Sequence, residues 1–238
     1  MRLAILTPFE GKGWALDGWL SALRSAVRPE GTTFLWLCNS ADDDFCLRLE
    51  EAARTLPVTL WRDTERIAEA TAMITKDSTV ARLWREMRSR LPADLTHVLC
   101  LEDDVISSPS MITDLLALCL DEMVVVAAPV PVRGLTIRAS SPMGPFPSEA
   151  NWSSVGCTLF PRPLFDAITL RSGKGQPLPF RGYDNWVGDE IRALGGKVII
   201  AMNMPVEHLA QPGMAAPKRK RERNRTASYA YRAWRGAR

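Results

Sequence analysis

The hydrophobic positions along the chain change period repeatedly, and each change marks an element. Residues 2–9 form a short apolar run followed by polar Glu10 and Lys12, the pattern of a buried strand. Residues 14–27 then set Leu16, Trp19, Leu20 and Leu23 at helical spacing, until Pro29-Glu30-Gly31 breaks the run. Residues 32–38 are β-branched and aromatic and read as a second strand. Residues 43–56 read as a helix whose first turn is acidic, which complements the helix dipole. Pro57 ends it, and residues 58–61 make a third strand. Residues 65–90 are helical, with a break expected near Lys76-Asp77-Ser78 and a stop at Pro92. A strand follows over 96–101, then a helix over 108–120 capped by Ser108 with Pro109 in its first position, then a fifth strand over 123–132.

The texture then changes. Residues 134–150 carry Gly, Pro and Ser with few apolar positions in register and read as a long loop. Residues 152–160 are strand-like, 163–168 a short helix, and 171–182 a second Gly/Pro loop. A helix over 183–194 ends at Gly195-Gly196, and a last strand over 197–202 leads to Met204-Pro205-Val206-Glu207-His208. No internal repeat is visible. Alternating strands and helices predict an α/β domain with a mainly parallel sheet and helices on both faces. Such sheets bind ligands beyond the carboxyl ends of their strands, which here means after Phe9, Cys38, Trp61 and Leu101.

Composition narrows the class. The chain has 238 residues, 46% hydrophobic and 24% charged, enough for one sizeable core. No apolar stretch approaches bilayer length, and the opening residues lack a secretory cleavage pattern, so a soluble cytoplasmic protein is expected. The five cysteines, Cys38, Cys46, Cys100, Cys119 and Cys157, show no zinc or redox spacing and read as buried, reduced thiols. Charge is unevenly placed. Residues 218–238 hold nine basic residues and one acidic, while the rest holds 21 basic and 26 acidic. A basic tail of this kind, with Tyr229, Tyr231 and Trp234 interleaved, is either a solvated extension or a contact to a polyanion such as nucleic acid.

Val98-Leu99-Cys100-Leu101-Glu102-Asp103-Asp104 carries the most chemistry. Three adjacent acids after a buried strand repel one another unless something neutralises them. A hard dication needs oxygen ligands, and it can bridge the phosphates of a diphosphate leaving group. If the extended form persists, Glu102 and Asp104 share one face and Asp103 takes the other. The competing reading is a solvated acidic turn that caps the next helix.

The strand–acidic motif–helix order resembles the DxD region of GT-A fold glycosyltransferases, especially the family 2 group. Residue by residue, Glu102 takes the ribose-side place, Asp103 sits within the donor-binding run, and Asp104 takes the metal place; a Glu in the first position departs from the strict motif. Leu3-Ala4-Ile5-Leu6-Thr7-Pro8-Phe9 is similar to the family's opening strand, with Thr7 and Pro8 beside the nucleotide. Asn39 and Asp42 match its second strand end, and Asp63 a contact to base or ribose. Trp152–Arg162 resembles its later strand, with Gly156 where the sugar lies close. Gly182-Tyr183-Asp184 resembles its Glu-Asp motif with the first acid replaced by Tyr183, so Asp184 takes the place of the catalytic base; the alternative is a helix cap. His208 resembles the family's C-terminal histidine that meets the metal.

The resemblance implies a single GT-A-like domain. Residues 1–133 form its nucleotide-sugar half, 134–210 its acceptor half with a small β region, and 211–238 a basic tail. It implies transfer of a sugar from a nucleotide-sugar, a UDP-sugar first among them, with Mn²⁺ or Mg²⁺ as cofactor. The acceptor is a hydroxyl on a glycan or lipid-linked sugar, or on a hydroxylated base in DNA reached through residues 218–238. Loops 134–150 and 171–182 would shape the acceptor side, and the resemblance adds a third reading of the basic tail, as a segment that folds over the bound diphosphate. Two other classes stay open. One is nucleotidyl transfer, of which Glu10-Gly11-Lys12-Gly13 is a faint trace of a phosphate loop. The other is a non-catalytic nucleic-acid-binding protein using the tail.

Overall fold

A computed structural model describes residues 1–63, 73–132, 136–137, 147–171, 183–201, 204 and 206–209. In chain order the elements are β1 (Leu3–Phe9), α1 (Gly13–Ser25), β2 (Thr33–Cys38), α2 (Asp43–Ala53), β3 (Val58–Arg62), α3 (Met73–Ser89), β4 (His97–Leu101), β5 (Val105–Ser107) and α4 (Met111–Leu118). Then come β6 (Val124–Ala127), β7 (Pro131–Val132), β8 (Thr136–Ile137), β9 (Ser148–Ala150), β10 (Cys157–Pro161), α5 (Arg162–Ala167), α6 (Tyr183–Ala193), β11 (Lys197–Ile200) and β12 (Val206–His208).

The main sheet runs β3-β2-β1-β4-β10-β6-β11-β9. β1, β2, β3 and β4 are mutually parallel, β6 and β11 are parallel to each other, and β10 and β9 run antiparallel to their neighbours. Alternation along β1 divides the core in two. Leu3 and Ile5 face a cluster with Leu16, Trp19 and Leu20 of α1, Phe45 and Leu49 of α2, and Ile112 and Leu115 of α4. Ala4 and Leu6 face the other cluster, with Leu83, Trp84 and Met87 of α3, Phe165 of α5, and Val187 and Ile191 of α6. Helices thus cover both sheet faces, as the alternation of elements predicted. The molecule is a mixed α/β sheet with mostly parallel strands.

Four expectations need correction. The helix expected over 108–120 starts only at Met111, because Val105–Ser107 is held extended against β12 and the Pro109 carbonyl accepts from the Val27 amide at 2.7 Å. Ser110, not Ser108, precedes it, without a side-chain cap. The strand expected over 152–160 is continuous only from Cys157, with a single bridge at Ser153 ahead of it. Between the two, Ser154 folds a turn, its hydroxyl accepting from Gly156 N and its carbonyl from Thr158 Oγ1. The break expected near Lys76-Asp77-Ser78 does not occur, since α3 runs through it. The region expected as a loop over 134–150 contributes β9 to the sheet edge, antiparallel to β11. Residues 138–146 and 172–182, and the basic tail, lie outside the described residues.

Candidate metal centre

The strand order reverses direction at β1, with β2 and β3 on one side and β4 on the other. The carboxyl ends of β1 and β4 therefore flank the crevice where such a sheet offers a ligand site. Leu101 ends β4, and Glu102, Asp103 and Asp104 form the turn that follows. Three bonds fix this turn. Glu102 N donates to Gly156 O at 2.8 Å, Trp19 Nε1 donates to Glu102 O at 3.0 Å, and Leu209 N donates to Asp104 O at 2.8 Å. β12 pairs antiparallel with β5, setting His208 opposite Val105. His208, a hundred-odd positions along the sequence, is thereby delivered beside the turn.

The result is a compact donor set. One ligand atom from each of Glu102, Asp104 and His208 lies within 4.8 Å of the other two. His208 Nε2 stands 3.2 Å from Asp104 Oδ2. The extended geometry expected for the acidic run does not persist, because β4 ends at Leu101. The turn nonetheless groups Glu102 with Asp104 and sends Asp103 elsewhere. Asp103 Oδ2 accepts from Glu10 N at 3.1 Å, and its Oδ1 from Lys12 Nζ at 2.6 Å. Lys12 Nζ also lies 2.9 Å from Asp104 Oδ2.

Burial and charge compete here. Burial opposes the charge of Asp104, but the His208 hydrogen bond and the Lys12 ammonium outweigh it and hold its pKa below the ordinary carboxylate value. Asp103 is more deeply buried, and burial pushes its pKa up to about 6 against the pull of Lys12. Burial likewise works against the Lys12 ammonium, yet Asp103, Asp104 and Glu102 overcome it and keep Lys12 firmly protonated. Three carboxylates face one ammonium. Asp104 Oδ1 is buried with no hydrogen-bond partner among the described residues. Two carboxylates and an imidazole converging beside an unsatisfied buried oxygen fit a dication of the Mg²⁺ or Mn²⁺ class.

Gly156 is required by this arrangement. A Cβ there would lie 2.6 Å from Glu102 Cδ and Oε2, so the close approach expected at this glycine is to a site carboxylate. Asp184, in the first turn of α6, accepts from Val155 N at 3.0 Å through Oδ1. It is thus one residue from Gly156 and connected through it to Glu102.

On the other side of β1, Asn39 and Asp63 meet. Asn39 Nδ2 donates to Asp63 Oδ2 at 2.8 Å, and Arg82 of α3 reaches the same oxygen. Asp42 is turned to a local task, its Oδ1 accepting from Phe45 N at 3.1 Å as the cap of α2. Thr7 and Pro8 lie within β1, in register with Trp36 and Leu37, and the buried Thr7 hydroxyl has no hydrogen-bond partner among the described residues. The five cysteines are free and buried. Two hollows of about 490 and 450 Å³ open elsewhere, at the amino-terminal ends of the strands, near Arg2 and Asp94 and near His97 and Asp121. Neither contains the grouped carboxylates. Sequence reasoning missed the roles of Lys12 and Arg82 in these clusters; the Gly-Lys-Gly loop after the first strand was the available sign of Lys12.

No protein-family model matches the sequence, and no curated protein matches it. Solved structures do. A mannosyltransferase from Pyrobaculum calidifontis, in complex with GDP-Man and Mn²⁺, superposes with a TM-score of 0.60 at 15% identity, over 89% of this chain and 58% of its own. GalNAc-T7 with UDP, GalNAc and Mn²⁺ gives 0.65 at 14% identity, over 98% of this chain and 48% of its own. TarS from S. aureus, residues 1–349 in complex with UDP-GlcNAc, gives 0.59 at 12% identity, over 92% and 61%. The chain spans about half to three fifths of the length of these structures. At such identities the likeness establishes the GT-A-like fold.

Proposed function

We propose that the protein is a metal-dependent glycosyltransferase that moves a sugar from a nucleotide-sugar to a hydroxyl acceptor. The observation that carries the reading is the convergence of Glu102, Asp104 and His208 at the β1/β4 switch point of a GT-A-like sheet. The similar structures hold GDP-Man, UDP or UDP-GlcNAc, two of them with Mn²⁺, which supports a nucleotide-sugar donor and a dication here.

In this reading Glu102, Asp104 and His208 hold the dication. When bound, the ion takes up negative charge on the diphosphate as it leaves the sugar. Asn39 and Asp63, fixed to each other after β2 and β3, face the nucleoside, and Thr7 and Pro8 line the base side. Asp103 tethers the loop after β1 through Glu10 N and Lys12. Asp184 takes the proton from the acceptor hydroxyl in an inverting transfer. Its carboxylate is oriented by the Val155 amide, which leaves its position fixed relative to Gly156 and Glu102. A UDP-sugar is the first donor to test. The acceptor is a glycan or lipid-linked sugar. A hydroxylated DNA base is the second reading, favoured by the charge of residues 218–238.

A thermal-shift panel of UDP- and GDP-sugars, with and without Mn²⁺, tests the proposal. At least one nucleotide-sugar should raise the melting midpoint only when Mn²⁺ is present, because a ligand bound to the folded form alone stabilises it. Asp104→Asn should erase that increment. A wild-type protein indifferent to every nucleotide-sugar in the presence of Mn²⁺ refutes the reading.

A further inference from the structure

Lys12 occupies an unusual place for a helix-capping residue. It follows Gly11, whose φ is +88°, and precedes the first residue of α1. The loop is pinned from both sides. A Cβ on Gly11 would fall 2.4 Å from Ser40 Oγ, in the turn after β2, while Glu10 N and Lys12 Nζ are bound to Asp103 after β4. The loop carrying Lys12 is therefore held at the crevice, and its long side chain reaches into the acidic turn. Its ammonium contacts two carboxylates with different duties. Asp103 lies outside the candidate ligand set, whereas Asp104 lies within it.

The contact with Asp104 is made to Oδ2, the same oxygen that faces His208. An ammonium and a dication cannot both crowd that carboxylate without strong repulsion in a site this buried. A dication held by Asp104 would repel the Lys12 ammonium and favour its withdrawal. The first turn of α1 contains no acidic residue, and its cap makes no side-chain bond to the helix amides. The positive end of α1 thus points from the same spot, and both suit a phosphate.

We propose that Lys12 is an exchangeable cation of the donor site. In the ligand-free protein its ammonium neutralises Asp103 and Asp104. When the donor arrives, it surrenders Asp104 and takes a phosphate oxygen of the nucleoside diphosphate, with Asp103 holding its loop in place. This rests on the donor-site reading above and adds a consequence to it: nucleotide and dication bind cooperatively, because the nucleotide gives Lys12 a second partner and clears Asp104. Coupling of this kind is reciprocal and commonly amounts to about 5- to 150-fold.

The test is Mn²⁺ binding, read from the loss of the free-ion electron paramagnetic resonance signal, with and without UDP or GDP. Lys12→Met should bind Mn²⁺ alone about tenfold tighter than wild type, yet bind the nucleotide in saturating Mn²⁺ about tenfold more weakly. The opposite signs matter, since a merely structural lysine would weaken both. Because Lys12→Met strands a buried Asp103, the pair Lys12→Met/Asp103→Asn is measured beside it, with circular dichroism confirming the fold. Unchanged or weaker Mn²⁺ binding in both folded variants overturns the proposal alone. Absence of Mn²⁺ binding in the wild type, even with UDP or GDP present, overturns the donor-site reading and this proposal with it.

Discussion

At the scale of single residues, the site depends on one missing methyl group. Gly156 leaves just enough room for the Glu102 carboxylate, and the obstacle a Cβ would meet is the far end of a flexible side chain. Gly156→Ala should therefore fold normally while pushing Glu102 off the shared ligand position. We expect about tenfold weaker Mn²⁺ binding, ~1.4 kcal/mol, with a melting midpoint close to wild type. Unaltered Mn²⁺ affinity would show that Glu102 does not contribute. His97 offers a contrasting residue, far from the site at the start of β4. Burial lowers its pKa below the ordinary histidine value. The unfolded chain then binds the proton more readily, so this histidine contributes stability above about pH 6.5 that is lost as pH falls through its folded pKa. Melting curves of wild type and His97→Gln should diverge on acidification, with the variant losing less stability below about pH 6.5; parallel curves would refute it. Asp104 and His208 were legible in the sequence because an acidic run after a buried strand and a histidine after the last strand are local patterns. The pairing of Lys12 with Asp103 was not legible. It exists only because β1 and β4, remote in sequence, are neighbours in the sheet.

At the scale of elements, placement of the site rests on two small pieces of structure that periodicity did not reveal. β5 and β12 are three residues each, too short for alternation to register, yet their pairing is what carries His208 to Asp104. The long runs, by contrast, were readable: β1, β2, α1, α2 and α6 fall within a few residues of their expected bounds. α6 contributes Asp184, and its seat against the segment before β10 depends on Gly188. A Cβ there would lie 2.5 Å from the Asn151 carbonyl oxygen and from Trp152 Cβ, and 2.8 Å from Trp152 Cα. Backbone cannot give way as a carboxylate can. Gly188→Ala should lever α6 from this segment and cost about 1–3 kcal/mol. For a chain of this length that lowers the melting midpoint by roughly 2–4 °C per kcal/mol. Because the Asp184–Val155 bond crosses the same contact, turnover should fall further than stability alone explains. A midpoint equal to wild type in differential scanning calorimetry would exclude the wedge.

At the scale of the whole molecule, charge separates what the fold joins. Residues 218–238 carry nine of the 30 basic residues and only one acid, whereas the remainder has 21 basic against 26 acidic. An acidic body gains nothing from a polyanion by itself, so any polynucleotide contact must be made by the tail. Phosphate neutralisation releases counterions, and the logarithm of affinity then falls with the logarithm of salt by about 0.9 for each phosphate neutralised on duplex DNA. If the acceptor is a base in DNA, full-length protein should bind duplex with a steep salt dependence, and removal of residues 218–238 should flatten that slope and weaken binding at low salt. The nucleotide-sugar response should survive the truncation, because every proposed donor contact lies between Thr7 and His208. Fluorescence anisotropy across a salt series measures the first quantity and thermal shift with Mn²⁺ the second. Equal slopes with and without the tail would remove DNA as the acceptor and leave the glycan reading, with the donor site untouched. Loss of the donor response on truncation would instead mean that the basic segment serves the diphosphate.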